Sequence, residues 1–135
     1  MKFSSLEAAI DPNNRLTFLL DWELTMKCNL DCSYCETGIY GGHDNSQQHP
    51  SVDECIRSID FMFAYVDRYM QRRAKAFRHV ILNVYGGESL HHPHIVDILQ
   101  EVRDRYRQYA DRWTLKITCT TNIIVSRKKL SEIIP

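Results

Sequence analysis

The residue types best able to do chemistry in this 135-residue chain are gathered in CNLDCSYC. There Cys28, Cys32 and Cys35 follow at steps of four and three and make up three of the five cysteines. A thiolate is a soft ligand, and three on one short loop suit zinc or an iron–sulfur cluster far better than calcium or magnesium. Structural zinc sites usually complete four ligands with a second pair from another knuckle. No second CxxC or CxxH pair occurs, and His43 could join as a fourth ligand only through an ad hoc loop. A four-iron cluster held by three cysteines leaves one iron without a protein ligand, open to a small molecule. A disulfide framework is the weaker reading, because the cysteines are odd in number and clustered.

The elements that must position this loop can be read from periodicity. Residues Arg15 to Thr25, RLTFLLDWELT, are rich in apolar, aromatic and β-branched side chains and predict a first strand feeding the loop. Glycine, asparagine, serine and proline in CNLDCSYCETGIYGGHDNSQQHP deny that loop regular structure. Ser51 and Glu54 stand in capping-box relation, and Val52, Cys55, Ile56, Ile59, Met62, Phe63, Val66 and Met70 repeat at three and four, predicting a helix to about Ala76. HVILNVYGGE, from His79, is an almost continuous apolar run of the kind found in parallel strands covered on both faces. Pro93 is placed to open a second helix carrying Ile95, Ile98, Leu99, Val102, Tyr106 and Tyr109. WTLKITCTTN alternates Trp113, Leu115, Ile117 and Cys119 against polar neighbours, a third strand, and a third helix starts near Ser126.

This alternation predicts an α/β domain spanning residues 1–135, built from about three parallel β/α units with right-handed crossovers. In such sheets ligands sit at the carboxyl ends of the strands. All three strands end in unusual sequences: the cysteine loop, YGGES at Tyr85 to Ser89, and TTN at Thr120 to Asn122.

Together these residues resemble the radical S-adenosylmethionine enzymes. CxxxCxxC at Cys28, Cys32 and Cys35, with aromatic Tyr34 before the last cysteine, looks like the family signature. The resemblance implies a [4Fe-4S] cluster on the three cysteines, with S-adenosyl-L-methionine chelating the fourth iron. Reductive cleavage would then give a 5′-deoxyadenosyl radical that abstracts hydrogen from substrate. Gly86, Gly87 and Glu88 resemble the Gly-Gly-Glu-Pro motif that holds the cosubstrate amino group; glycines permit close backbone approach, and a carboxylate and free carbonyls can take up an ammonium. Thr120, Thr121 and Asn122 fall where relatives carry Thr-Asn-Gly near the cosubstrate, and Tyr34 fits contact with the adenine. Ser89 stands where the family has proline, and Ile123 where it has glycine. The second departure matters if the position needs positive φ. The match covers the first to the third strand, about the first half of the family's six-unit partial TIM-type barrel. The expectation is therefore an incomplete core domain, finished by further chain or by a second chain at the open sheet edge. A reductant such as flavodoxin or ferredoxin is implied as partner. The substrate is not specified, with only a lean in LTMKCNLDCSYC toward enzymes that mature peptides or proteins.

Composition and the remaining residues bound these readings. Lysine plus arginine equals aspartate plus glutamate, 17 against 17, so no overall field points to nucleic acid or an anionic membrane. MKFSSLEAAID lacks the apolar core of a secretory signal and no run approaches the roughly 20 residues of a membrane span, so a soluble, cytoplasmic protein is expected. Cys55 and Cys119 sit on apolar sides of their elements and read as small core residues. His91, His92 and His94 read as a solvated loop rather than a metal or proton-shuttle site, since no carboxylate or cysteine joins them at ligand spacing. QRRAKAFRH reads as an exposed helix end, and Tyr65, Tyr69, Tyr106 and Tyr109 as borders between helix surface and core. Two other classes stay open: a non-catalytic iron–sulfur module for electron transfer or structure, and a small zinc-binding domain.

Overall fold

The computed structural model describes residues 16–30, 32, 33, 35, 49–72, 77–124 and 126–133. Strand β1 spans Leu16–Thr25, helix α1 Val52–Arg72, strand β2 Phe77–Gly86, helix α2 Ile95–Tyr106, strand β3 Thr114–Cys119 and helix α3 Arg127–Ile133. Two short 3-10 turns, Ser89–His91 and Arg107–Tyr109, flank α2. The strands form one parallel sheet in the order β1-β2-β3. This is the α/β alternation that periodicity predicts.

Local chemistry explains the boundaries. At the start of α1, the Ser51 backbone N–H and hydroxyl donate to Glu54 Oε2 at 2.8 and 2.7 Å, while the Glu54 N–H donates to Ser51 Oγ at 3.3 Å. That reciprocal capping box satisfies otherwise orphaned helix donors. The described helix ends at Arg72, and the expected extension over residues 73–76 lies outside the described residues. Helix α2 begins two residues after Pro93, with His94 as its N-cap, because Ser89–His91 takes up the intervening chain as a 3-10 turn. In α3, the Lys129 N–H donates to Ser126 Oγ at 3.2 Å, as an N-terminal serine should.

Both crossovers deliver their helices to the same face of the sheet. Cys55, Ile59, Phe63 and Val66 of α1 and Ile95, Ile98 and Val102 of α2 share one core with Trp22, Leu24, Val80, Leu82, Val84 and Trp113. The rings of Tyr106 and Tyr109 lie 5.2 and 5.3 Å from that of Trp113, and Phe63 meets Trp113 edge-on at 5.4 Å. Below this aromatic cluster, buried Asp67 of α1 is paired with Arg112 and accepts a hydrogen bond from Gln71 at 2.8 Å. The Arg112 guanidinium lies 4.8 Å over the Tyr109 ring, so one ion pair joins the end of α1 to the turn before β3.

The second face of the sheet differs from expectation. HVILNVY reads as a strand covered on both sides, yet only Val80, Leu82 and Val84 are buried, whereas His79, Ile81, Asn83 and Tyr85 are half-buried. Among the described residues no helix packs on that side. Leu19 on the same face is 37% exposed.

Candidate functional site

The three unusual strand ends converge at the carboxyl edge of the sheet. The Gly87 N–H donates to Thr25 O and the Glu88 N–H to Lys27 O, both at 2.7 Å, stitching the end of β2 to the start of the cysteine loop. Two glycines are needed for this approach. Gly86 has φ +143°, and a Cβ there would stand 2.0 Å from Thr25 O; one on Gly87 would stand 2.3 Å from Lys27 O. Neither contact is available to a residue with a side chain unless the backbone leading to Cys28 moves.

Glu88 is the centre of the arrangement. It is completely buried, and its carboxylate accepts three hydrogen bonds: from the Leu90 N–H at 3.0 Å, from Thr121 Oγ1 at 2.8 Å and from the Asn122 N–H at 2.7 Å. A buried charge is tolerable only when its lone pairs are so engaged. Asn122 continues the chain of bonds, its Nδ2 donating to Asn29 Oδ1 at 2.8 Å, beside Cys28. Glu88, Thr121 and Asn122 thus form one bonded group with the cysteine loop. The carboxylate faces the chain's own donors, which makes Glu88 first a tie between loops.

Ile123 follows with φ +61°. The position does adopt the left-handed backbone that glycine accepts freely, and a β-branched residue pays for it by roughly 1–2 kcal/mol. The strain is held by local bonds: the Ile123 N–H donates to Thr121 Oγ1 at 3.0 Å and the Ile124 N–H to Asn122 Oδ1 at 2.9 Å.

Cys28, Cys32 and Cys35 are half-buried. The Leu30 N–H donates to Cys28 Sγ at 3.4 Å, and the Cys35 N–H to Cys32 O at 3.0 Å, which closes a turn. Among the described residues no three His, Cys, Asp or Glu side chains converge to hold a metal ion. The donor set itself fits an iron–sulfur cluster, and metal sites commonly take their final geometry only with the metal. Ser89 Oγ, fully buried next to Glu88, is without a hydrogen-bond partner among the described residues. Tyr34 and His43 lie outside the described residues.

Other cysteines and histidines correct the sequence reading in two places. Cys55 is buried, and burial pushes its thiol up to about 11, which suits a core residue. Cys119 is exposed instead of core, as the last residue of β3, which is an edge strand among the described residues. His91 and His94 are exposed as expected of a solvated loop, but His92 is completely buried. Its Nε2–H donates to Pro50 O at 2.8 Å and its Nδ1 accepts from the His94 N–H at 3.1 Å, which defines a neutral ring. Its carbonyl accepts from Lys129 Nζ at 2.8 Å, and the His49 ring stands 4.9 Å away with its Nδ1 3.0 Å from Thr25 Oγ1. His92 therefore pins the chain entering α1 against the 3-10 turn and α3. Only the proline-flanked spacing of these histidines hinted at such a role.

Among the described residues no helix is long and apolar enough to cross a membrane. No protein-family model, curated protein or solved structure matches the chain.

Proposed function

We propose that this chain is the cofactor-binding portion of a radical S-adenosylmethionine enzyme, the first half of a partial TIM-type barrel. The observation that carries the reading is the meeting, through Glu88, of three strand ends whose sequences resemble that family in order: CNLDCSYC, YGGES and TTN. The arrangement of the sheet supports the barrel: strands in sequential order with successive helices on one face are what a closing barrel needs, whereas a doubly wound sheet puts helices on both.

On this reading Cys28, Cys32 and Cys35 hold a [4Fe-4S] cluster, which when bound supplies electron transfer to S-adenosyl-L-methionine and thereby radical chemistry. The rest is the work of this chain. Gly86 and Gly87 bring backbone close to the cosubstrate's amino group, Glu88 holds Thr121 and Asn122 in place, and Asn122 steadies the cysteine loop through Asn29. Tyr34, by its place before Cys35 in the motif, is the residue assigned to the adenine. A flavodoxin or ferredoxin serves as reductant, and further chain or a second chain covers the open edge of β3.

A second reading, a non-catalytic iron–sulfur module, is favoured by one specific feature: Glu88 is completely buried and its carboxylate is engaged by Leu90, Thr121 and Asn122, a tie between loops that needs no cosubstrate. One experiment separates the two. The anaerobically reconstituted protein is followed by visible absorption and electron paramagnetic resonance, reduced and oxidised, with and without S-adenosylmethionine. A cluster signal that shifts with the cosubstrate and is lost in Cys28→Ser is the expected result. A cluster indifferent to the cosubstrate selects the electron-transfer module, and tightly held zinc without a cluster overturns both.

A further inference from the structure

The sheet face turned away from the helices carries a hydrogen-bonded row that the core does not use and that adjoins the proposed cofactor site through Thr120. Asp21 on β1, Asn83 on β2 and Thr118 on β3 stand in register across the three strands. Asn83 Nδ2 donates to Asp21 Oδ1 at 2.9 Å, and Asn83 Oδ1 accepts from Thr118 Oγ1 and Thr120 Oγ1, each at 3.3 Å. The amide's orientation follows from the carboxylate, which can only accept; the opposite flip would set two acceptors face to face. Both hydroxyl protons and one amide proton are thus spent inside the row. It offers a ligand mainly lone pairs: the second oxygen of Asp21, whose one partner among the described residues is Asn83, and the outer sides of the two hydroxyl oxygens.

Support of the sheet does not account for this choice. A cross-strand pair contributes about 0.2–1 kcal/mol whether polar or apolar, and one step nearer the amino ends Leu19, Ile81 and, at the β3 edge, Lys116 occupy the equivalent places. The row lies on the carboxyl half of the strands, where Asn83 leads into Gly86 and Thr120 into Thr121, at the position where parallel β/α sheets bind ligands. It spans two interstrand spacings, roughly 10 Å, wide enough for one charged side-chain head and its hydrogen bonds.

We infer that Asp21, Asn83, Thr118 and Thr120 form a recognition subsite for a cationic, donor-rich group of the substrate, a primary ammonium or a guanidinium. Such a group brings the donors the row lacks and a charge opposite to Asp21. A phosphate or carboxylate there meets acceptors of its own sign and is rejected. The inference rests on reading the strand ends as a ligand site, and it names the substrate chemistry of that site.

The test follows the side-chain amide of Asn83 and the backbone amides of Thr118 and Thr120 by nuclear magnetic resonance in the full chain, with and without reconstituted cluster. The probes are N-acetyl-lysine methylamide and N-acetyl-arginine methylamide, with N-acetyl-norleucine methylamide and N-acetyl-glutamate methylamide for comparison. Saturable shifts with at least one cationic probe, weakened tenfold or more in Asp21→Asn and severalfold in Thr118→Val, are expected, with no response to the other two. Equal response to the norleucine compound, no response to either cation, or cationic binding unchanged in Asp21→Asn overturns the subsite. Cluster absorption in the same samples keeps the two readings apart. Cationic selectivity without a cluster sinks the radical reading alone, and a cosubstrate-responsive cluster without selectivity sinks the subsite alone.

Discussion

On the face of the sheet toward α1 and α2, Val80, Leu82 and Val84 are 1, 0 and 0% exposed. On the other face of the same strand, Ile81, Asn83 and Tyr85 are half-buried, and their neighbours Asp21 and Lys116 are exposed. Adjacent residues of one strand therefore live in different solvents. The first face is filled by helix side chains and carries the burial that stabilises the chain. The second carries little of that burial, which frees it to hold polar groups in register at the carboxyl end.

The sharpest way to break this contrast is to hollow out each face in turn. Leu82→Ala leaves a cavity in the core that it shares with Phe63, Ile59 and Ile98 and should cost about 2–5 kcal/mol in urea denaturation, whereas Leu19→Ala, already 37% exposed, should cost under about 1 kcal/mol. Equal losses would mean that the second face is packed after all. Next in size comes the buried tie between the strand ends. Glu88→Ala strands the Leu90 and Asn122 N–H groups and the Thr121 hydroxyl, and should cost about 3 kcal/mol. Thermal melts that match the wild type would remove Glu88 from its central place.

Titration distinguishes the buried region from the open face as well. Burial holds His92 below its usual range, reinforced by the His94 and Lys129 charges and opposed by the bond to Pro50. Burial also lowers His49, with His92, Lys27, His91 and Lys129 adding to the effect. A histidine whose folded pKa is depressed is neutral in both states above the unfolded value near 6.5, so it has no effect on stability there. As pH falls below that value the unfolded chain takes up protons first, and stability drops. Denaturation midpoints should therefore decline between pH 6.5 and 5, with a shallower slope in His92→Gln; a slope unchanged by that substitution would show that the His92 ring is not held neutral. The smallest effect is expected at Ile123. Ile123→Gly relieves about 1–2 kcal/mol of left-handed backbone but adds freedom to the unfolded chain, for a net gain of about 0.5–1 kcal/mol. A net loss would show that the exposed isoleucine makes a contact the backbone angle does not reveal.

Much of this molecule was legible residue by residue. Ser51 and Glu54 announced the start of α1, and the spacing of Cys55, Ile59, Phe63 and Val66 named its buried stripe. The alternation of Trp113, Leu115 and Ile117 gave the side of β3 that faces the helices, and the glycines of YGGES marked a close backbone approach. Asn83 inside HVILNVY was the sign that β2 is not covered on both faces, but seven residues of mostly apolar character concealed it. The burial of His92 and the pairing of Asp67 with Arg112 carried no local signal, because polar residues look alike in sequence whether or not a partner reaches them.

What the sequence determined by itself was the set of elements and the side each residue takes, since periods of 2 and 3.6 are fixed by backbone geometry within a few neighbours. Tertiary structure alone decided which strand ends touch. Glu88 finds Thr121 and Asn122 more than thirty residues away, and Asn122 finds Asn29 across the sheet, through a register that is a property of three paired strands and of no single segment.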